Sequence, residues 1–201
     1  MDTVGIGGDE PPTASTLRDA LRSMIEPGER VLWMGFPRQG LMLRAQDAFQ
    51  IPFSLMWCGF AVFWEYSVVN SSRAPAFFEL WGVPFVCFGL YFVFGRFIVD
   101  AGVRARTIYA VSNQRILILS GWWKRSTRSM DLLNLGEINL SEDANGRGTI
   151  TFGPPNPYNY WGRGWPGGGR VASPAFERIL DARQVVKTIR DAQKAARERP
   201  S

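Results

Sequence analysis

The chain has 201 residues and a net charge of +5, with 23 Lys/Arg against 18 Asp/Glu. It has no His, which excludes His-based catalytic triads and His-ligated zinc, and its two cysteines are too few for a disulfide framework or a Cys-rich metal site. Charge is uneven: residues 1–47 carry −2, residues 48–99 carry 0 and residues 100–201 carry +7, so the C-terminal half suits an anionic partner.

Residues 1–16 (MDTVGIGGDEPPTAST) are rich in Gly, Pro, Asp and Thr and lack the basic start and apolar core of a signal peptide. They read as a disordered tail. Residues 17–47 then lead into the apolar region. Thr16 is placed to N-cap a short helix, LRDALRSMI, with Leu17, Leu21, Met24 and Ile25 on one face. Pro27-Gly28 ends it, and a strand-like segment runs from Arg30 to Phe36.

Two apolar runs follow, Ala48–Val69 and Leu80–Val99. Each has about 20 residues, the length a helix needs to cross a hydrocarbon core of roughly 30 Å. Glu65 and Arg96 lie near span ends, where they can snorkel, and Trp64, Tyr66 and Trp81 lie where aromatic belts form. Pro52 and Pro84 fall in the first turns of these runs, and Cys58 and Cys87 face lipid or helix. The expectation is a two-helix transmembrane hairpin. Arg38 and Arg44 before it and Arg96, Arg104 and Arg106 at its end outnumber Arg73 in the loop. That asymmetry predicts an integral inner (cytoplasmic) membrane protein with both termini cytoplasmic. Glu65 and Glu79 are either a carboxylate pair for proton or cation binding or two interfacial acids. The scarcity of other ionisable residues in the spans favours the second.

From Arg106 the pattern becomes short strands. RTIYAV and QRILIL flank a Ser112-Asn113 turn, with Tyr109, Val111, Ile116 and Ile118 on one face, although ILIL is apolar on both. STRSMDLL alternates in the same way. EINLSED and GTITFG flank Asn145-Gly146, a strong hairpin signal. Residues 153–170 (GPPNPYNYWGRGWPGGGR) read as a long loop. Ser173 to Arg199 reads as a helix with Phe176, Ile179, Leu180, Val186 and Ile189 on one stripe; residues 193–201 form a polar tail.

YAVSNQRILIL, LLNLGEINL, GRGTITFG and FERILDARQVVKTI, preceded by GERVLWMGFP, together resemble the membrane-anchored bacterial pleckstrin-homology-like domain over roughly residues 28–192. The resemblance implies a β-barrel-like sandwich of about seven strands capped by one helix, and it implies no catalytic site. The expected fold class is therefore an α+β membrane protein. It combines a two-helix transmembrane hairpin (48–69, 80–99) with a PH-like antiparallel β-sandwich over residues 100–192, capped by a C-terminal helix.

Two clusters are candidates for recognition. Trp122, Trp123, Lys124, Arg125 and Arg128 have the chemistry of a membrane interface, where rings sit at headgroup depth and cations meet anionic lipid. Tyr158, Tyr160, Trp161, Arg163 and Trp165 on the long loop, with Arg170, suit a protein partner or lipid. Packing of either cluster into its own domain is the alternative. No phosphate loop, catalytic triad, metal spacing or nucleic-acid motif is present in the sequence. The expected function is a non-catalytic, cofactor-free membrane-tethered module that binds anionic lipid headgroups or a neighbouring membrane protein, with no nucleic-acid partner. The alternative is a subunit of an oligomeric transporter or channel using Glu65 and Glu79, and a homo-oligomer stays open.

Overall fold

A computed structural model describes residues 5–7, 9–43, 47–71, 75–121, 125–143, 146–154 and 173–198; within these, the side chains of residues 5–7, Ala76 and Glu79 are not described. The chain divides into two compact units. One comprises Met1–Gly40 and Ala101–Ser201, the other Leu41–Asp100.

The first unit holds two sheets. Strands β1 (Gly5–Gly7), β2 (Val31–Gly35), β3 (Ile108–Ser112), β4 (Arg115–Ser120) and β5 (Ser126–Asp131) form one sheet in that spatial order. All neighbours are antiparallel except β1, which runs parallel to β2. Strands β6 (Ile138–Glu142), β7 (Arg147–Phe152) and β8 (Ala175–Leu180) form the second, antiparallel sheet. Helices α1 (Ala14–Arg22) and, at the C-terminus, the helix Ala182–Arg197 complete the unit.

Strand alternation sends side chains to opposite faces, and here both faces of β3 and β4 are buried. Tyr109, Val111, Ile116 and Ile118 join one core with Trp33, Ile150, Phe152, Phe176 and the apolar stripe of the C-terminal helix, Val185, Val186 and Ile189. Ile108, Ala110, Leu117 and Leu119 face a second core that includes Leu21 of α1, Met34 and Phe36. The doubly apolar run ILIL thus has a covering element on each side. The Phe176 ring joins the sheets: it stacks on Tyr109 at 4.7 Å and Trp33 at 5.6 Å and meets Phe152 edge-on at 5.1 Å.

The Ser112–Asn113 turn between β3 and β4 is locked by a buried polar network. Glu29 lies just before β2, and its side chain is fully buried. Arg115 donates to it from Nε at 3.0 Å and Nη2 at 2.9 Å, and Ser112 Oγ donates at 2.6 Å. The Glu26 amide adds a fourth hydrogen bond at 3.0 Å. Asn113 Oδ1 accepts from the Arg30 amide at 2.8 Å, and the Asn113 amide donates back to the Arg30 carbonyl. The expected turn residue Asn113 therefore serves here by pairing across to β2, and no positive φ is found at it.

Several expectations are corrected. Gly5–Gly7 in the N-terminal tail is a strand, and α1 begins at Ala14, with Thr13 rather than Thr16 at its N-cap position. Thr13 Oγ1 donates to the Ala105 carbonyl at 2.5 Å instead of capping. The helix expected from Ser173 begins only at Ala182; Phe176, Ile179 and Leu180 belong to β8. Arg178 has φ 45°, and the β7–β8 register shifts between Gly148 and Ile150. That bulge turns Phe176 and Ile179, three residues apart, to the same buried side, so a strand imitates helical spacing.

The second unit is helical: α2 (Asp47–Val69) packs on α3 (Ala76–Leu90), which continues through a π-helical turn (Tyr91–Gly95) into α4 (Arg96–Arg104). The expected two-helix transmembrane hairpin is overturned here. Among the described residues only Leu80–Arg104 is long and apolar enough to count as a membrane span, with mean hydropathy 1.8. The α2 helix is long enough, but Gln50, Ser54, Glu65, Tyr66 and Ser67 dilute its apolar character. Pro52 and Pro84 lie inside α2 and α3 rather than in their first turns, because both helices begin earlier than the apolar runs suggest. We number the C-terminal helix Ala182–Arg197 α5.

Burial alone opposes ionisation of Glu29, but the hydrogen bonds from Arg115, Ser112 and the Glu26 amide, with the Arg115 charge, outweigh it and hold its carboxyl below the ordinary glutamate value of 4.5. A folded-state value below the unfolded one gives stability that is complete above pH 4.5 and lost as pH falls through the folded value. Acid unfolding followed by tryptophan fluorescence should therefore be shallower in Glu29→Gln than in the parent chain. Arg115→Ala, which leaves the buried carboxylate unpaired, should lower stability at pH 7 by about 3 kcal/mol; a loss below about 0.5 kcal/mol, typical of a solvent-exposed pair, would show that the network is not a structural clasp.

Candidate interaction surfaces

Within the helical unit the surface is apolar where water would be expected. Only 17 % of the apolar window in Leu80–Arg104 is buried inside the chain. Phe77, Trp81 and Phe85 stand at i, i+4 and i+8 on one exposed face of α3, their rings 5.6 and 6.2 Å apart in succession. Phe49, Phe53, Met56, Phe60 and Phe63 of α2 are exposed as well. Patches of this size mark a surface that meets lipid or another protein.

The two helices approach closely through glycines. A Cβ at Gly82 would fall 1.6 Å from Glu65 Oε2 and 2.6 Å from the Trp64 ring, and one at Gly89 would fall 3.0 Å from the Cys58 backbone. Gly82 and Gly89 are seven residues apart, so they share one face of α3. Glu65 Oε2 is buried there and finds no hydrogen-bond partner among the described residues. An open groove beside it is lined by Val62, Tyr66, Val69 and Val86.

At the opposite end of α2 lies a buried charge pair. Arg96 Nη2 is 3.0 Å from Asp47 Oδ1, and both side chains are more than nine-tenths buried. Arg96 Nη1 also donates to Gln50 Oε1, and the guanidinium lies over the Phe97 ring, 4.4 Å from its centre. The π-helical turn just before Arg96 adds one residue to a turn, which rotates the following face by roughly 100°. Gly95 permits it, since a Cβ there would meet the Tyr91 ring at 2.7 Å. Arg96 therefore does not snorkel outward; it closes the base of the α2–α3 hairpin.

The residues expected to contact lipid are only partly placed. Trp122, Trp123 and Lys124 lie outside the described residues. Arg125 is exposed ahead of β5, and Arg128 lies on β5 opposite Ile118 and is half-buried. Tyr158, Tyr160, Trp161, Arg163 and Trp165, with Arg170, also lie outside the described residues. Glu79 lies on α3, with its side chain not described. The sequence reading missed the Asp47–Arg96 pair and the Gly82/Gly89 face. Signals for both exist: a charge at each outer end of the two apolar runs, and two glycines one heptad apart.

Replacing Gly89 with Val should force α2 and α3 apart, because the neighbour is Cys58 backbone, which cannot rotate away. Overpacking of this kind costs about 1–3 kcal/mol. A cysteine crosslink between the engineered pair Val62→Cys and Val86→Cys, efficient in the parent background, should fall several-fold in Gly89→Val; unchanged crosslinking would remove the close-packing argument. No family model, curated protein or solved structure matches the chain.

Proposed function

We propose that this protein is a non-catalytic interaction module attached to a membrane by its helical unit. The observation that carries the reading is the long apolar helical stretch Leu80–Arg104, in whose most apolar 18 residues only 17 % of the residues are buried within the chain. The core helix of a water-soluble protein has such a stretch covered. The resemblance of YAVSNQRILIL and its companion segments to membrane-anchored pleckstrin-homology-like domains supports the same reading.

The strand pairing limits how the chain meets the bilayer. β2 precedes the helical unit and β3 follows it, and Gly35 faces Tyr109 in one sheet. This pairing supports connections that leave and return on one side of the membrane. Arg38 before the helical unit and Arg104 and Arg106 at its end support a cytoplasmic location for that side by the distribution of positive charge. The sheet unit, with its excess of Arg, then meets anionic headgroups or a neighbouring membrane protein.

A second reading, a subunit of an oligomeric transporter or channel, draws on the buried Oε2 of Glu65, which has no hydrogen-bond partner among the described residues. In a proteoliposome flux assay it requires transport that Glu65→Gln abolishes, and no flux above empty vesicles removes it.

For the first reading, membranes from cells producing the full chain are washed with high salt and then alkaline carbonate. The chain should stay with the pellet through both washes. Phe88→Arg with Leu90→Arg should shift it to the supernatant, since each charge within the apolar layer costs about 2.5–3.5 kcal/mol. Release of the parent chain by salt alone would refute the membrane reading.

A further inference from the structure

The two edges of the five-stranded sheet are built differently. One edge is β5, Ser126–Asp131, whose sequence STRSMD carries Arg128 and Asp131 and is largely solvent-facing. Charged, polar edge strands are how native sheets avoid adding further strands. The other edge would be β2, whose sequence VLWMG has no charge, no proline and three buried residues in succession at Trp33, Met34 and Gly35. Nothing in β2 discourages strand addition.

A strand is in fact added there. β1 pairs in parallel with β2, with Gly5 opposite Trp33, Ile6 opposite Met34 and Gly7 opposite Gly35. Two of the three described residues of this cover, Gly5 and Gly7, are glycines. Glycine loses more conformational entropy on ordering than any other residue and brings no side chain to pack. At those two positions the hold on β2 is backbone hydrogen bonding, which any extended peptide of suitable shape can reproduce.

We propose that the outer edge of β2 is a peptide-docking edge, and that the chain's own Gly5–Gly7 strand is a resident strap occupying it. The partner is an extended segment with a small–apolar–small pattern, which adds to β2 as a parallel strand after the strap leaves. The resident strand itself defines that pattern. A tethered strap competes at an effective concentration in the mM range, so removal of the strap should sharply raise affinity for a free peptide. This inference stands on the sheet alone and does not depend on the membrane reading.

The test uses the full chain and a variant lacking residues 1–8, both in detergent, with a fluorescent peptide of the sequence MDTVGIGGDE as probe and a scrambled peptide as control. Fluorescence anisotropy should show at least tenfold tighter binding to the truncated chain. Hydrogen exchange should show β2 amides losing protection on truncation and regaining it with the probe, while β3 and β4 stay protected. If truncation also exposes β3 and β4, the full-length Ile6→Pro variant takes its place, because proline blocks strand pairing without shortening the chain; it should bind the probe more tightly than the parent. Equal binding by parent and opened chain, or equal binding of probe and scrambled peptide, overturns the proposal. A dimer of the full chain that disappears on truncation would assign the edge to a second copy instead and overturn the partner assignment.

Discussion

The pairing of β2 with β3 is the interaction on which the rest of the fold depends. These strands are neighbours in the sheet but lie about 70 residues apart in sequence, with the whole helical unit between them. A flexible loop of that length costs roughly 4 kcal/mol to close. Two buried charge pairs reduce the problem from opposite directions. Asp47 and Arg96 join the ends of the helical hairpin, so the insertion returns to where it started. Glu29 and Arg115 clasp the start of β2 to the start of β4 across the Ser112–Asn113 turn. With both in place, strand pairing links elements that are already ordered.

This arrangement explains why GERVLW and SNQR belong together despite their separation. Glu29 supplies the carboxylate, and Ser112 and Arg115 supply the donors. The Glu29 carboxylate draws three of its hydrogen bonds from Ser112 and Arg115, and a buried carboxylate without donors is costly. The aromatic contacts of Phe176 do the same on the apolar side, joining residues from β2, β3, β7 and β8 in one core. The fold is thus held by long-range contacts, to which the YAVSNQRILIL segment contributes Tyr109, Ser112 and Arg115.

How much of this is legible in the sequence depends on whether the signal is local. The β3–β4 alternation at Tyr109, Val111, Ile116 and Ile118 and the Asn-Gly signal between EINLSED and GTITFG are local, and the strands flanking each are paired, although Asn145 itself lies outside the described residues. The start of the C-terminal helix is not: the positive φ at Arg178 gives β8 the spacing of a helix, and only pairing with β7 reveals a strand. Nor can the second apolar face of ILIL be assigned its cover, α1, without knowing the sheet order. At the candidate surfaces, charge and hydropathy mark Arg96 and Glu65 as unusual, but periodicity does not tell that one is paired with Asp47 and the other lies against Gly82. The membrane hairpin failed for a compositional reason, because aromatic and polar residues in α2 satisfy a length criterion without satisfying a hydropathy one.

The interrupted sheet also has a consequence in time. A ribosome adds about 5–20 residues per second, so β3 leaves it several seconds after β2. Throughout that interval β2 has no β3 to pair with, and its apolar edges are candidates for misassociation with other nascent chains. β1 and α1 are the elements already synthesised. β1 takes the edge of β2 opposite the one that β3 takes, so one edge of β2 has a cover within reach during that interval while the other waits for β3.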